Sequence, residues 1–90
     1  LIGGDDGNDT IDAGDGNNTV NGGAGIDVIN TGTGNDVIDG SDGNDTINAG
    51  AGNNNLLGGV GNDSVTAGAG NDVIGGGDGD GLHLRQRAVL

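Results

Sequence analysis

The chain has 90 residues, of which 24 are glycine and 14 are acidic against two basic residues, Arg85 and Arg87, for a net charge of −12. Phe, Trp, Tyr, Met, Cys and Pro are all absent, which excludes an aromatic core, a disulfide framework and any Cys-bearing zinc or redox site. The charge opposes nucleic acid and anionic membranes as partners and favours cations, and no apolar run approaches the ~18 residues of a membrane span.

Residues 1–3 read as a leading edge, and from Gly4 the chain falls into rows of nine that continue without insertion or deletion to Leu84. Each row predicts a six-residue turn and then a three-residue strand. The first row turns over 4–9 and extends over 10–12; the second turns over 13–18 and extends over 19–21; the pattern repeats to a ninth strand over 82–84, followed by a tail, 85–90. The fourth column is glycine in every row: Gly7, Gly16, Gly25, Gly34, Gly43, Gly52, Gly61, Gly70 and Gly79. Glycine tolerates left-handed backbone that a Cβ penalises. The eighth column is apolar through Ile11, Val20, Ile29, Ile38, Ile47, Leu56, Val65 and Ile74, and fails at His83. One apolar residue flanked by β-favouring neighbours suits a short strand with a single inward side chain. The sixth column carries Asp9, Asp27, Asp36, Asp45, Asp63 and Asp72, with Asn18 and Asn54 in two rows and Gly81 in the last.

The first column alternates between glycine in odd rows (Gly4, Gly22, Gly40, Gly58, Gly76) and Ala13, Thr31, Ala49 and Ala67 in even rows. Two rows therefore make one structural turn of 18 residues, with odd loops stacked along one side of a coil and even loops along the other. Residues 40–75 repeat 4–39 more closely than 22–39 repeat 4–21, as a duplicated two-turn block would.

These columns spell G-G-x-G-x-D-x-U-x, and rows 22–30 and 58–66 match it at every defined position. The pattern resembles the calcium-binding nonapeptide repeats of the RTX (repeats-in-toxin, hemolysin-type) family. The resemblance implies an all-β, right-handed parallel β-roll of about 4.5 turns. It implies Ca²⁺ held between a loop and the loop one turn later by sixth-column carboxylates and backbone carbonyls, here those of Gly4, Gly7, Gly22, Gly25, Gly40, Gly43, Gly58 and Gly61. Roughly three to seven ions are expected. Odd-side sites would pair Asp9 with Asp27, Asp27 with Asp45 and Asp45 with Asp63, while a fourth with row nine has only Asp78 or Asp80 beside Gly81. Even-side sites would pair Asn18 with Asp36, Asp36 with Asn54 and Asn54 with Asp72, each with one carboxylate and one amide oxygen. Calcium is expected to fill the odd side first, because ligand charge tunes affinity.

No triad or acid/base pair is visible, with one histidine in the tail, no Cys or Glu, and only Ser41 and Ser64 as serine hydroxyls, so the segment is not expected to be an enzyme. The expected role is a structural module that folds on binding calcium outside the cell, joined to neighbouring domains of a larger secreted bacterial protein. An EF-hand is excluded by the missing glutamate, and collagen by the missing proline. The competing class is a calcium-dependent ice-binding or adhesive surface, suggested by Thr33 and by the ladder Asn17, Asn35, Asn53 and Asn71. Its third-column stack, Asp15, Thr33, Ala51 and Ala69, lacks the regular threonines such a face needs. The tail from Leu82 reads either as a cap over the open end of the coil or as a frayed end, and His83 as incidental to metal binding.

Overall fold

The computed structural model describes residues 2–75 and the strand 83–85, and within them every regular element is a β-strand. Successive strands alternate between two parallel sheets. One runs β1 (Ile2–Gly3), β3 (Thr19–Asn21), β5 (Val37–Asp39), β7 (Asn55–Leu57), β9 (Val73–Gly75) in spatial order. The other runs β2 (Thr10–Gly14), β4 (Val28–Thr31), β6 (Thr46–Asn48), β8 (Ser64–Thr66), β10 (His83–Arg85). Val20 stands opposite Ile38, Ile38 opposite Leu56 and Leu56 opposite Ile74, while Ile11, Ile29, Ile47 and Val65 stack in the second sheet. The fold is the expected parallel β-solenoid, about 4 turns with strands about 18 residues apart.

The period follows from the size of the core. A three-residue strand turns one side chain inward, and the two sheets meet through a single file of those residues. Val20, Ile29, Ile38, Ile47, Leu56 and Val65 are at most 2% exposed, with Ile11 and Ile74 at 8% and 5%. Ala49 and Ala67 of the even loops join this core, and Ile2 and Ala13 pack against its edge. Outward neighbours such as Val37 and Val73 remain about half exposed. So few small side chains bury little apolar area per residue ordered, and glycine is the most expensive residue to order. Inter-loop bonding therefore decides whether the coil holds.

The first end extends the nine-residue frame and the last departs from it. Ile2 already pairs with Val20 and Gly3 with Asn21, so the leading residues supply the eighth and ninth columns of a preceding row. At the other end β10 pairs His83 with Ser64, Leu84 with Val65 and Arg85 with Thr66, an offset of 19 residues. Row nine thus carries one extra residue, and the expected strand 82–84 lies at 83–85. This register pairs Leu84 and not His83 with Val65. The expectations for Asp78, Asp80, Gly81 and the tail beyond Arg85 concern positions outside the described residues.

Candidate metal centre

Each loop is built on left-handed backbone at its fourth column, where the eight glycines from Gly7 to Gly70 have φ between 102° and 126°. The second column is left-handed too in nearly every row, and Asp5 and Ser41 adopt φ 67° there without being glycine. The first-column glycines are different. Gly4, Gly22, Gly40 and Gly58 have no left-handed φ, and their missing Cβ is explained by space.

The sixth-column side chains point into the stack and join successive turns. Asp9 N–H donates to Asp27 Oδ1 (2.9 Å), Asp27 N–H to Asp45 Oδ1 (2.9 Å) and Asp45 N–H to Asp63 Oδ1 (2.9 Å). On the even side Asn18 N–H donates to Asp36 Oδ1, Asp36 N–H to Asn54 Oδ1 and Asn54 N–H to Asp72 Oδ1, each at 2.8 Å. The residues expected to pair across a turn are therefore brought together on both sides.

The second carboxylate oxygen has no such use. Oδ2 of Asp9, Asp27, Asp36, Asp45, Asp63 and Asp72 is buried without a hydrogen-bond partner. Five of these side chains, Asp27, Asp36, Asp45, Asp63 and Asp72, are at most 2% exposed. A buried, unpaired carboxylate oxygen carries a large desolvation cost. Burial pushes the Asp45 carboxyl up to about 7; the Asp27 N–H pulls it back, and the Asp63 and Asp27 carboxylates on either side raise it further. Burial raises Asp63 as well, against the lowering effect of the Asp45 N–H.

On the odd side these oxygens crowd the first-column glycines, where only a residue without a side chain fits. A Cβ placed on Gly40 would lie 2.7 Å from Asp45 Oδ2 and 2.8 Å from the Gly58 carbonyl oxygen one turn on. On Gly22 it would lie 2.8 Å from Asp27 Oδ2 and 2.9 Å from the Gly40 carbonyl, and on Gly4 2.7 Å from both Asp9 Oδ2 and the Gly22 carbonyl. A side chain there would push apart a carboxylate oxygen and a main-chain oxygen, the oxygen types that ligate Ca²⁺. Among the described residues no three His, Cys, Asp or Glu side chains converge, so the donor set is carboxylate and carbonyl oxygen. That chemistry suits a hard cation and gives zinc no nitrogen or sulfur ligand.

The even side is arranged otherwise. Asn18 Nδ2 donates to the Gly14 and Gly16 carbonyls at 2.8 and 3.1 Å, and Asn54 Nδ2 to the Gly50 and Gly52 carbonyls at 3.3 and 3.4 Å. The first column there has side chains, with Ala49 and Ala67 fully buried, and the Thr31 hydroxyl donates to the Ala49 carbonyl (2.8 Å). Every described pair of adjacent even loops is also joined by a main-chain bond from the fourth column to the third of the next loop, from Gly16 to Thr33, Gly34 to Ala51 and Gly52 to Ala69. On the odd side only Gly43 to Val60 makes this bond among the described residues.

The fifth-column asparagines are structural. Asn35 N–H donates to Asn17 Oδ1, Asn53 N–H to Asn35 Oδ1 and Asn71 N–H to Asn53 Oδ1, so these amide oxygens serve the stack and not an outward lattice. Sequence reading missed the second-column carbonyls that the Asn18 and Asn54 amides reveal as lining the loop. No sequence signal marks them, because every residue has a carbonyl.

The model of the RTX calcium-binding nonapeptide repeat, in its four-copy form, matches residues 2–29, 21–56 and 48–82. The chain belongs to the RTX calcium-binding repeat family. No curated protein and no solved structure matches it. The RTX repeats are calcium-binding, and the unpartnered carboxylate oxygens beside the first-column glycines fit that ion. No helix among the described residues is long and apolar enough to cross a membrane.

Proposed function

We propose that this RTX segment is a calcium-triggered folding module of a larger secreted bacterial protein, and that it has no catalytic role of its own. The observation that carries the reading is the set of buried Oδ2 atoms without partners. A fold that leaves them among other oxygens lacks only a cation. In the odd loops Ca²⁺ would be held by the carboxylates of Asp9, Asp27, Asp45 and Asp63. The carbonyls of Gly4, Gly22, Gly40 and Gly58, with those of Gly7, Gly25, Gly43 and Gly61, would complete the oxygen shell. When bound, the ion neutralises adjacent carboxylates and replaces the water lost on burial.

Coupling to folding follows from the small core and the charge of −12. An ion bound only by the folded chain shifts the equilibrium toward it, so calcium-poor cytosol favours coil and extracellular calcium favours the solenoid. Far-UV circular dichroism tests this in chelator and then in about 10 mM Ca²⁺, above the 10⁻⁴–10⁻³ M affinities of extracellular modules. Coil turning to β on calcium addition supports the proposal; β structure of equal amplitude in both refutes it.

A further inference from the structure

The two stacks of loops differ in what satisfies their carbonyls. An asparagine and an aspartate present the same shape, and in both the Oδ1 position accepts the N–H of the residue one turn back. The remaining atom is then Oδ2 in aspartate, with no partner, and Nδ2 in asparagine, with two. Asn18 and Asn54 put N–H donors against second- and fourth-column carbonyls of their own loops, the direction in which the aspartates offer only oxygen.

We infer that the amides of Asn18 and Asn54 stand in place of calcium in their own loops, so that the even stack of this RTX segment holds fewer ions than the odd stack, with only the unpartnered Oδ2 atoms of Asp36 and Asp72 left to ligate one there. The inference rests on the calcium reading above. The first- and third-column carbonyls of the loop after Asp36 already have donors. Thr31 Oγ1 already donates to the first of these, Ala49, and Gly34 N–H to the second, Ala51. For Asn18 the third-column carbonyl of the next loop, Thr33, accepts from Gly16. For Asn54 it is Ala69, accepting from Gly52. A side chain also stands in the first column of each even row, where odd rows have glycine crowded by oxygen. On the odd side, Ala24 and Asp42 in the third column accept no main-chain bond from the preceding loop among the described residues, whereas Val60 accepts one from Gly43. Asn18 and Asn54 are thus replacements for an ion and not its weaker ligands.

The test uses the whole 90-residue chain. Wild type folded in saturating Ca²⁺ receives trace Mn²⁺, and amide broadening is read residue by residue in ¹H–¹⁵N spectra. Broadening concentrated in loops 22–27 and 40–45, with 13–18 and 49–54 retained, supports the inference; equal broadening of both stacks overturns it. A second measurement counts bound calcium in Asn54→Ala and Asp45→Asn. Asn54→Ala should bind as many ions as wild type and need more calcium to fold, because two carbonyls lose their donors. Asp45→Asn should bind fewer ions. Loss of an ion from Asn54→Ala overturns the inference while leaving the calcium-dependent fold intact. A wild-type chain that binds no calcium at all overturns the underlying reading, and this one with it.

Discussion

Gly40→Ala isolates the crowding at the first column from everything else glycine does. Gly40 is buried and does not have left-handed backbone, so alanine meets no conformational penalty there and even restricts the unfolded chain. Its methyl would instead lie 2.7 Å from Asp45 Oδ2 and 2.8 Å from the Gly58 carbonyl, displacing two of the oxygens proposed to hold an ion. If one site of affinity 10⁻⁴–10⁻³ M is lost, the folded state at about 10 mM Ca²⁺ loses about 1.4–2.7 kcal/mol. The calcium midpoint of the far-UV transition should rise, and calorimetry should count one ion fewer. Ala49→Gly is the control on the even stack, with Ala49 buried in the core. It should destabilise by removing a methyl and adding backbone freedom, about 1 kcal/mol or more, with the ion count unchanged. An unchanged ion count in Gly40→Ala would refute the placement of calcium beside the first-column glycines.

Gly43→Ala should fail at any calcium concentration, because φ at Gly43 is 107° and a Cβ would strike the Gly25 carbonyl; circular dichroism in saturating calcium checks it. Ile47→Ala, at a position 1% exposed, should cost about 2–5 kcal/mol and push the calcium midpoint beyond reach, whereas Val37→Ala, 48% exposed, should shift stability by no more than about 0.5 kcal/mol in the same titration. In calcium-stripped buffer the fold should gain from acidification. The Asp45 carboxyl lies at about 7 against 3.8 for an unperturbed one, so the folded chain binds more protons than the unfolded chain between those values. Its contribution is full below about pH 4 and is lost as pH rises through 7, which a pH series of β signal at zero calcium measures. Calcium binding should accordingly release protons near pH 6, readable from calorimetric heats in buffers of different ionisation enthalpy.

Much of the architecture is legible because two periodicities coincide. One apolar residue per nine sets the strands, and the Gly/Ala alternation of the first column sets two strands per turn; pairing such as Ile29 with Ile47 follows directly. The last row is not legible. A fixed nine-residue frame gives the eighth column to His83, while the solenoid advances by one residue so that Leu84 stands over Val65. The carboxylates of the site could be named from sequence, but the roles of first-column glycine and sixth-column asparagine could not. Glycine reads as conformational freedom until the Gly40 backbone proves ordinary and its surroundings crowded with oxygen. Asparagine reads as a poorer oxygen ligand until its oxygen is found accepting an N–H one turn back, which leaves only the amide nitrogen facing the loop.

That distinction changes how the charge is distributed along the coil. The odd stack runs Asp9, Asp27, Asp45, Asp63 without interruption, each buried carboxylate next to another. The even stack runs Asn18, Asp36, Asn54, Asp72, so no two carboxylates are consecutive. Like charges in adjacent turns repel most where water cannot screen them; burial is the main cause that raises the Asp45 carboxyl, and the Asp63 and Asp27 carboxylates add to it. Without calcium the odd stack therefore carries the larger repulsion and, among the described residues, makes the fourth-to-third-column bond only from Gly43 to Val60, while the even stack has its amides, the Thr31 hydroxyl and that bond between every described pair of loops. The calcium requirement for folding should then follow the number of consecutive carboxylates and not the total acidic charge. Asp45→Asn, which breaks the odd run and supplies an amide in its middle, should fold at a lower calcium concentration than wild type despite losing a ligand. Neutralising the exposed Asp6 or Asp42 to asparagine should leave the calcium midpoint nearly unchanged. A midpoint that falls equally for Asp42→Asn and Asp45→Asn would mean that net charge alone sets the threshold.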